Sequence, residues 1–302
     1  MFKLDFLAPV LFLVMWSSGA VVVKLGLQFS SQWSFLALRA LLSLLCITLI
    51  VLVAKTLTGQ VWKKPNRTQL RLVLQVGLLL QVSYLASYIL AIDAGLAPGL
   101  VTLVLGLQPL LTPLCTQHKL SRSKLMLLLG GFVGLSVAIF GAQDLTNVGW
   151  KGLAWAVLAL LSLTFGTIKQ AKVEIAPLPA MFYQCLLSCL VFTLLSFATG
   201  WQVMWQPELV FSLLWMSGVV SVGALLLLMT MIKRNSADQV SVLFYAIPIF
   251  TYLFDHWIFG TSISALTLCG TFIVAMCIVL YRRQPKTSPA RDKLLALDQG
   301  EH

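Results

Sequence analysis

Long apolar runs separated by short polar stretches set the pattern of this chain. An α-helix needs about 20 apolar residues to cross roughly 30 Å of hydrocarbon. Runs of that kind lie near 6–27, 33–54, 71–92, 96–116, 124–142, 150–168, 178–199, 208–231, 237–257 and 264–281. They predict an all-α integral membrane fold with ten crossing helices and no long soluble domain between them. The first run has some features of a cleavable signal peptide: Lys3 precedes it, and Ser18-Gly19-Ala20 looks like a cleavage site. The run continues through Val21, Val22 and Val23, however, and Asp5 stands where a signal peptide is positive. A retained first helix is therefore expected. The polar segment from residue 284 to 302 is expected to be a disordered cytoplasmic tail.

Composition agrees with a lipid solvent. Hydrophobic residues make up 59% of the 302 residues and charged residues only 10%, against about 25% charged in a soluble domain. The net charge of +11 raises the question of nucleic acid. The basic stretch Lys63, Lys64, Arg67, Arg71 lacks a Gly-rich or aromatic-interleaved context for RNA, so no nucleic-acid partner is expected. The bases instead report topology, because Lys and Arg collect on the cytoplasmic side of a membrane. Even-numbered connections and both termini hold Lys3; Lys55, Lys63, Lys64, Arg67, Arg71; Lys119, Arg122, Lys124; Lys169, Lys172; Lys233, Arg234; and Arg282, Arg283, Lys286, Arg291, Lys293. These are 18 of the 21 basic residues. Lys24 and Lys151 fall on the other side, and Arg39 falls inside the second run. A missed or extra helix would scramble this asymmetry. It predicts cytoplasmic ends in an inner (plasma) membrane.

Ten crossings divide as five plus five. A five-helix unit duplicated in tandem enters the membrane from opposite sides, which gives inverted repeats. The expected division is 1–145 and 146–283. Placing Pro109 on Pro248 aligns residues 109–131 with 248–270 without gaps, with seven matches, three of them leucines. Thr102, Gly106, Pro109, Pro113 and Thr116 share one face of the fourth run. At the same spacings, Ser241, Tyr245, Pro248, Tyr252 and Asp255 share one face of the ninth. Polar stripes avoid lipid. Proline inside a helix removes a hydrogen bond and clashes with the preceding turn. The two prolines therefore mark either broken helices lining a central cavity or packed kinks.

Further residues point toward the same interior. Gln81, Tyr84 and Tyr88 share a face of the third run, fit either to contact an organic solute or to join helices by hydrogen bonds. Trp16 and Ser17 sit mid-way along the first run, as cavity lining or as packing. Ser217 and Ser221 read as packing first. Arg39 is either an anchor for a carboxylate or phosphate or a side chain snorkelling to the outer surface. Lys24, nearer its helix end, fits snorkelling better. Asp93, Asp255 and His256 near the outer rim could relay protons as a coupling ion, but solvation at loop ends is the simpler account. Gly130-x-x-x-Gly134 is a small-residue packing motif.

The chemistry of an engine or an enzyme is missing. There is no G-x-x-x-x-G-K-[ST] for nucleotide hydrolysis and no HExxH or GxSxG. The six cysteines lie inside apolar runs without a CxxC or Cys/His pattern, so no cofactor, metal or disulfide is expected.

WSSGAVVVKLGL in the first run, FLALRALLSL in the second, AGLAPGLVTLVLGLQPLLTPL in the fourth, LLLGGFVGL in the fifth and SADQVSVLFYAIPIFTYLF in the second half resemble the EamA-type branch of the drug/metabolite transporter superfamily. The likeness spans nearly the whole chain apart from the tail. It implies two inverted five-helix repeats around a cavity and secondary export of a small organic metabolite, an amino acid or a drug-like compound. On this sequence, the family's lysine of the first helix is Lys24, its arginine of the second is Arg39, and its mid-helix prolines are Pro109 and Pro248. Members often have a glutamate after the fourth and ninth helices. Here those stretches read TQHKLSR and IFGTSIS, so no role can be borrowed through that acid. Uptake or exchange of a phosphorylated sugar or nucleotide is the alternative within transport. A membrane sensor or partner-binding subunit is the alternative outside it.

Overall fold

A computed structural model describes residues 2–58, 65–96, 98–116, 121–142, 149–234, 240–259 and 264–284. The side chains of Lys24, Tyr252 and Asp255, and the tail from residue 285, lie outside the described residues. The helices are α1 (Phe2–Leu27), α2 (Gln32–Thr58), α3 (Arg67–Asp93), α4 (Pro98–Leu105), α5 (Gln108–Cys115), α6 (Arg122–Ala142), α7 (Trp150–Gln170), α8 (Pro177–Thr199), α9 (Pro207–Arg234), α10 (Ile247–Phe259) and α11 (Ala265–Arg283). A single 3₁₀ turn, Val242–Tyr245, precedes α10. Among the described residues the only pairing of extended backbone is the isolated bridge Ser30–Val203.

Seven helices, α1, α2, α3, α6, α7, α8 and α9, are long and apolar enough to cross a membrane. The remaining expected crossings fall on shorter apolar stretches, Val101–Cys115, Val242–Thr251 and Ala265–Tyr281. The chain is an all-helical, multi-pass membrane protein. Large apolar side chains cover its surface: Leu49 on α2 is 62% exposed, Leu194 on α8 70% and Phe272 on α11 70%. A monomer in water does not expose so broad an apolar surface. The polar side chains Ser17, Ser34, Gln81, Gln108 and Thr112 are buried instead.

Local signals set the ends of these helices. The Asn66 side chain accepts from Gln69 N and starts α3, and Ser264 does the same for α11 through Thr267 N. Pro177 and Pro207 open α8 and α9, where a missing N–H costs nothing. Gly95 and Gly200 follow α3 and α8 with φ of 87° and 97°, a region that side chains disfavour. At one end of the bundle Lys169 Nζ donates to Gln75 Oε1, and Lys233 Nζ to the Glu174 and Ile175 carbonyls. At the far end of α3, Gln32 Nε2 donates to Asp93.

Packing crosses between the first and second halves. α1 lies against α9 and α10, α7 against α3, α4 and α5, α2 against α8, and α6 against α11. Ser34 Oγ, on α2, pairs with Ser196 Oγ, on α8, at 2.9 Å and accepts from Gln202 N at 3.1 Å. The α6–α11 contact is the closest: a side chain at Gly270 would run into the Ala138 backbone and the Gly134 carbonyl, and one at Gly134 into Ile273. Gly134 of the GGFVG motif thus packs as the sequence suggested.

Candidate functional site

The fourth and ninth expected crossings are not continuous helices. α4 stops at Leu105 and α5 restarts with Gln108 and Pro109 in its first turn. The 3₁₀ turn ends at Tyr245 and α10 restarts with Ile247 and Pro248. In both places proline becomes the second residue of a new helix, where its absent N–H has no carbonyl to serve. Ser17 Oγ donates to the Ile247 carbonyl at 3.1 Å, and Thr251 Oγ1 donates to the Ser17 carbonyl at 3.4 Å. α1 is thereby stitched to the break. Ser17→Ala leaves a buried carbonyl with one partner fewer and is expected to cost about 1–3 kcal/mol, read as a lower unfolding midpoint in detergent.

α3 and α9 have a different irregularity. Leu78–Ser83 and Trp215–Ala224 are π-helical. A π turn widens the helix and turns later residues to a new direction, and such turns recur at functional sites. Both stretches face one cavity. The cavity leaves about 100 Å³ for the centres of water-sized molecules, several times the roughly 10–15 Å³ that one water occupies on that measure. Trp16, Gly19 and Val23 of α1, Leu80, Gln81, Tyr84 and Tyr88 of α3, and Met216, Val220 and Ser221 of α9 line it. Arg39, Thr102, Phe244, Pro248 and Thr251 complete its polar and aromatic parts. Trp16 and Phe244 lie 5.9 Å apart edge to face, and Tyr84 and Tyr88 lie 6.3 Å apart.

Arg39 does not snorkel. Only 7% of it is exposed, and its Nε donates to Ser221 Oγ at 2.8 Å. Its own carbonyl accepts from Ser217 Oγ at 3.0 Å and Ser43 Oγ at 2.7 Å. The two α9 serines that the sequence suggested as packing residues therefore hold this arginine in place. Beside the cavity runs a buried polar seam on α7. Ser162 Oγ pairs with Ser83 Oγ, Thr167 Oγ1 accepts from Gln108 Nε2, and Gln170 Oε1 accepts from Gln184 Nε2. Gln81 Nε2, Gln108 Oε1, Thr164 Oγ1 and Gln184 Oε1 are buried without a hydrogen-bond partner.

The expected site residues divide accordingly. Trp16, Arg39, Gln81, Tyr84, Tyr88, Thr102 and Pro248 face the cavity, whereas Ser17, Pro109, Ser241 and Tyr245 do not line it. Ser17 serves the break. Pro109 and Ser241 are buried elsewhere in the bundle. Tyr245 turns away, its hydroxyl donating to the Leu128 carbonyl at 2.9 Å and its ring lying over Gly131. The reason is phase. The stripe through Ser241 and Tyr245 assumes 100° per residue, but a 3₁₀ turn advances about 120°, and the break at Ala246 resets the face. Phe244, Ile247, Pro248 and Thr251 take the inward positions instead. Phe244 and Thr251 had no signal except the prediction that Pro248 breaks the helix.

Residues 150–283 match the model of the EamA-like transporter family. None of the curated proteins matches the sequence. A solved crystal structure, described only as that of a protein, superposes with a TM-score of 0.74 over 92% of this chain and 98% of its own, at 16% identity. At that identity the likeness is one of fold.

Proposed function

We propose, from the premise that the chain belongs through residues 150–283 to the EamA-like transporter family, part of the drug/metabolite transporter superfamily, that it is a secondary carrier exporting a small organic metabolite. The observation that carries this reading is a cavity, polar on Arg39, Gln81 and Ser221 and aromatic on Trp16, Tyr84, Tyr88 and Phe244, walled by helices of both halves.

On this reading ten crossings form two inverted five-helix repeats, residues 1–145 and 146–283, with both termini cytoplasmic in an inner membrane. Three regularities support it. Breaks precede Pro109 and Pro248, in the fourth crossing of each half. π-helical stretches fall in the third crossing of each half, at Leu78–Ser83 and Trp215–Ala224. The packing is reciprocal: α1 meets α9 and α10 as α7 meets α3, α4 and α5, while α2–α8 and α6–α11 join like to like. A two-fold axis in the membrane plane produces this pairing. Rocking of the halves would expose the cavity first to one side and then to the other. The unpartnered atoms of the α7 seam are groups that water would satisfy when that side opens.

The test is a metabolite comparison, inside and outside, of cells with and without the protein. Export predicts one organic solute, or one related set, that accumulates inside when the protein is absent and outside when it is abundant. Unchanged pools in both compartments would remove the carrier reading, and the opposite shift would replace export by uptake.

A further inference from the structure

Arg39 is the eighth residue of α2, about 11 Å along the helix from its start at 1.5 Å per residue. It is buried, and its side chain lines both the central cavity and a smaller recess beside it, formed with Ser43, Gln81, Cys185 and Ser188. Among the described residues no carboxylate lies within ion-pair distance of it, and its Nε donates to a neutral hydroxyl, Ser221 Oγ. Asp93, at the end of α3, is engaged with Gln32. A guanidinium taken out of water without a counter-charge is strongly disfavoured, and an ionisable group kept inside a membrane points to a solute or ion path. Gln81 Nε2 adds an independent observation. It is a buried donor without an acceptor, on a residue only 6% exposed, and it lines the same cavity and the same recess.

We infer that the cavity takes a monoanionic carboxylate with an apolar or aromatic body, the carboxylate seated on the Arg39 guanidinium and the Gln81 amide; this rests on the carrier reading above. A planar guanidinium matches a carboxylate in two parallel hydrogen bonds. The rest of the lining sets the body of the solute: Leu80, Leu105, Leu163, Val220, Leu225 and Phe244 are apolar. One cation suits a single negative charge better than a phosphate dianion. No acidic side chain lines the cavity among the described residues, so none of these offers a counter-charge to the ammonium of a zwitterion, and the unaminated acid is expected to bind tighter than the amino acid. Ser217 and Ser221 are positioning residues: they fix the backbone and Nε of Arg39 and leave the outer edge of the guanidinium to the solute.

The experiment measures binding of 3-phenylpropanoate, 4-methyl-2-oxopentanoate, the neutral amide 3-phenylpropanamide, phenylalanine and inorganic phosphate to the purified full-length protein in detergent. Thermal stabilisation and quenching of tryptophan fluorescence are the readouts, since Trp16 lines the cavity. The wild type is expected to bind a monocarboxylate about tenfold or more tighter than the amide, and tighter than phenylalanine or phosphate. Arg39→Gln is expected to erase the preference for acid over amide, and Arg39→Lys to keep part of it. Ser221→Ala is expected to weaken the acid several-fold more than it weakens the amide. The wild-type comparison needs no variant, so a misfolded Arg39→Gln leaves the test intact. Equal binding of acid and amide, tighter binding of phosphate, or no carboxylate bound at 10 mM (about the weakest affinity a carrier site would use) overturns the inference. Flux into proteoliposomes separates the two claims. A neutral solute carried as fast as the acid removes the carboxylate and keeps the carrier, whereas an acid that binds through Arg39 without crossing the membrane removes the carrier and keeps the carboxylate.

Discussion

Tyr84→Ala is expected to lower transport of the carried solute roughly tenfold or more while the protein still reaches the membrane, and Tyr245→Ala is expected to do the reverse. Both are buried tyrosines, 7% and 1% exposed, and by residue type alone they are equivalent. Their surroundings separate them. Tyr84 lines the cavity together with Tyr88, Trp16 and Phe244, so truncating it removes part of the wall that the proposed solute would meet. Tyr245 fills the joint between the 3₁₀ turn, α6 and α11, its ring on Gly131 and its hydroxyl on the Leu128 carbonyl. Truncation there opens a void, at about 3–5 kcal/mol for a large aromatic, and lowers the amount of folded protein. Tyr245→Phe keeps the ring and loses one hydrogen bond, about 1 kcal/mol, so transport per folded molecule should match the wild type. Initial rates in proteoliposomes, normalised to folded protein, and unfolding midpoints in detergent measure the two effects separately. Equal loss of transport at both positions would mean that the cavity does not define the solute site.

Gly270→Leu is expected to destroy the fold outright. The α6–α11 joint brings the Gly270 Cα up to the Ala138 backbone and the Gly134 carbonyl, and backbone cannot move aside as a side-chain tip can. The helices must separate along their length, and close packing of small residues is what holds membrane helices together. The expected outcome is loss of the monodisperse protein peak in detergent. Gly218→Ala is the control, because a methyl there meets nothing within 4 Å and should leave the elution profile unchanged. Gly166 lies between these extremes: its neighbours are the Leu79 and Leu80 side chains, which can shift, and Leu80 borders the cavity. A monodisperse, stable Gly270→Leu protein would show that the halves do not meet at this joint.

How far the sequence could be read depended on helical regularity. Where helices are continuous, apolar run length found them to within a few residues, as at 178–199 against Pro177–Thr199 and 150–168 against Trp150–Gln170. α2 runs on to Thr58 beyond the expected 54, because Lys55 and Thr56 continue the helix past the apolar stretch. Face assignments held on α3, where Gln81, Tyr84 and Tyr88 do turn to the same cavity. They failed on the ninth run, where the 3₁₀ turn changed the phase and exchanged Tyr245 for Phe244. The π turns left no trace in LLLQVS or WMSGVVSVGA, because extra backbone width comes from packing rather than from a residue preference. Arg39 was recognised as unusual, but one sequence cannot place Ser217 and Ser221 beside it: 182 residues separate Arg39 from Ser221.

Accessibility of Thr102 tests the central claim most directly. Thr102→Cys, in a chain whose six cysteines are replaced by serine, is treated with a membrane-impermeant thiol reagent in right-side-out and inside-out vesicles, with Leu49→Cys as the lipid-facing reference. A water-filled cavity that opens in turn to each side predicts labelling of the Thr102 variant in both orientations and of the Leu49 variant in neither. Labelling of Leu49→Cys as fast as Thr102→Cys, or no reaction at Thr102→Cys from either side, would contradict it.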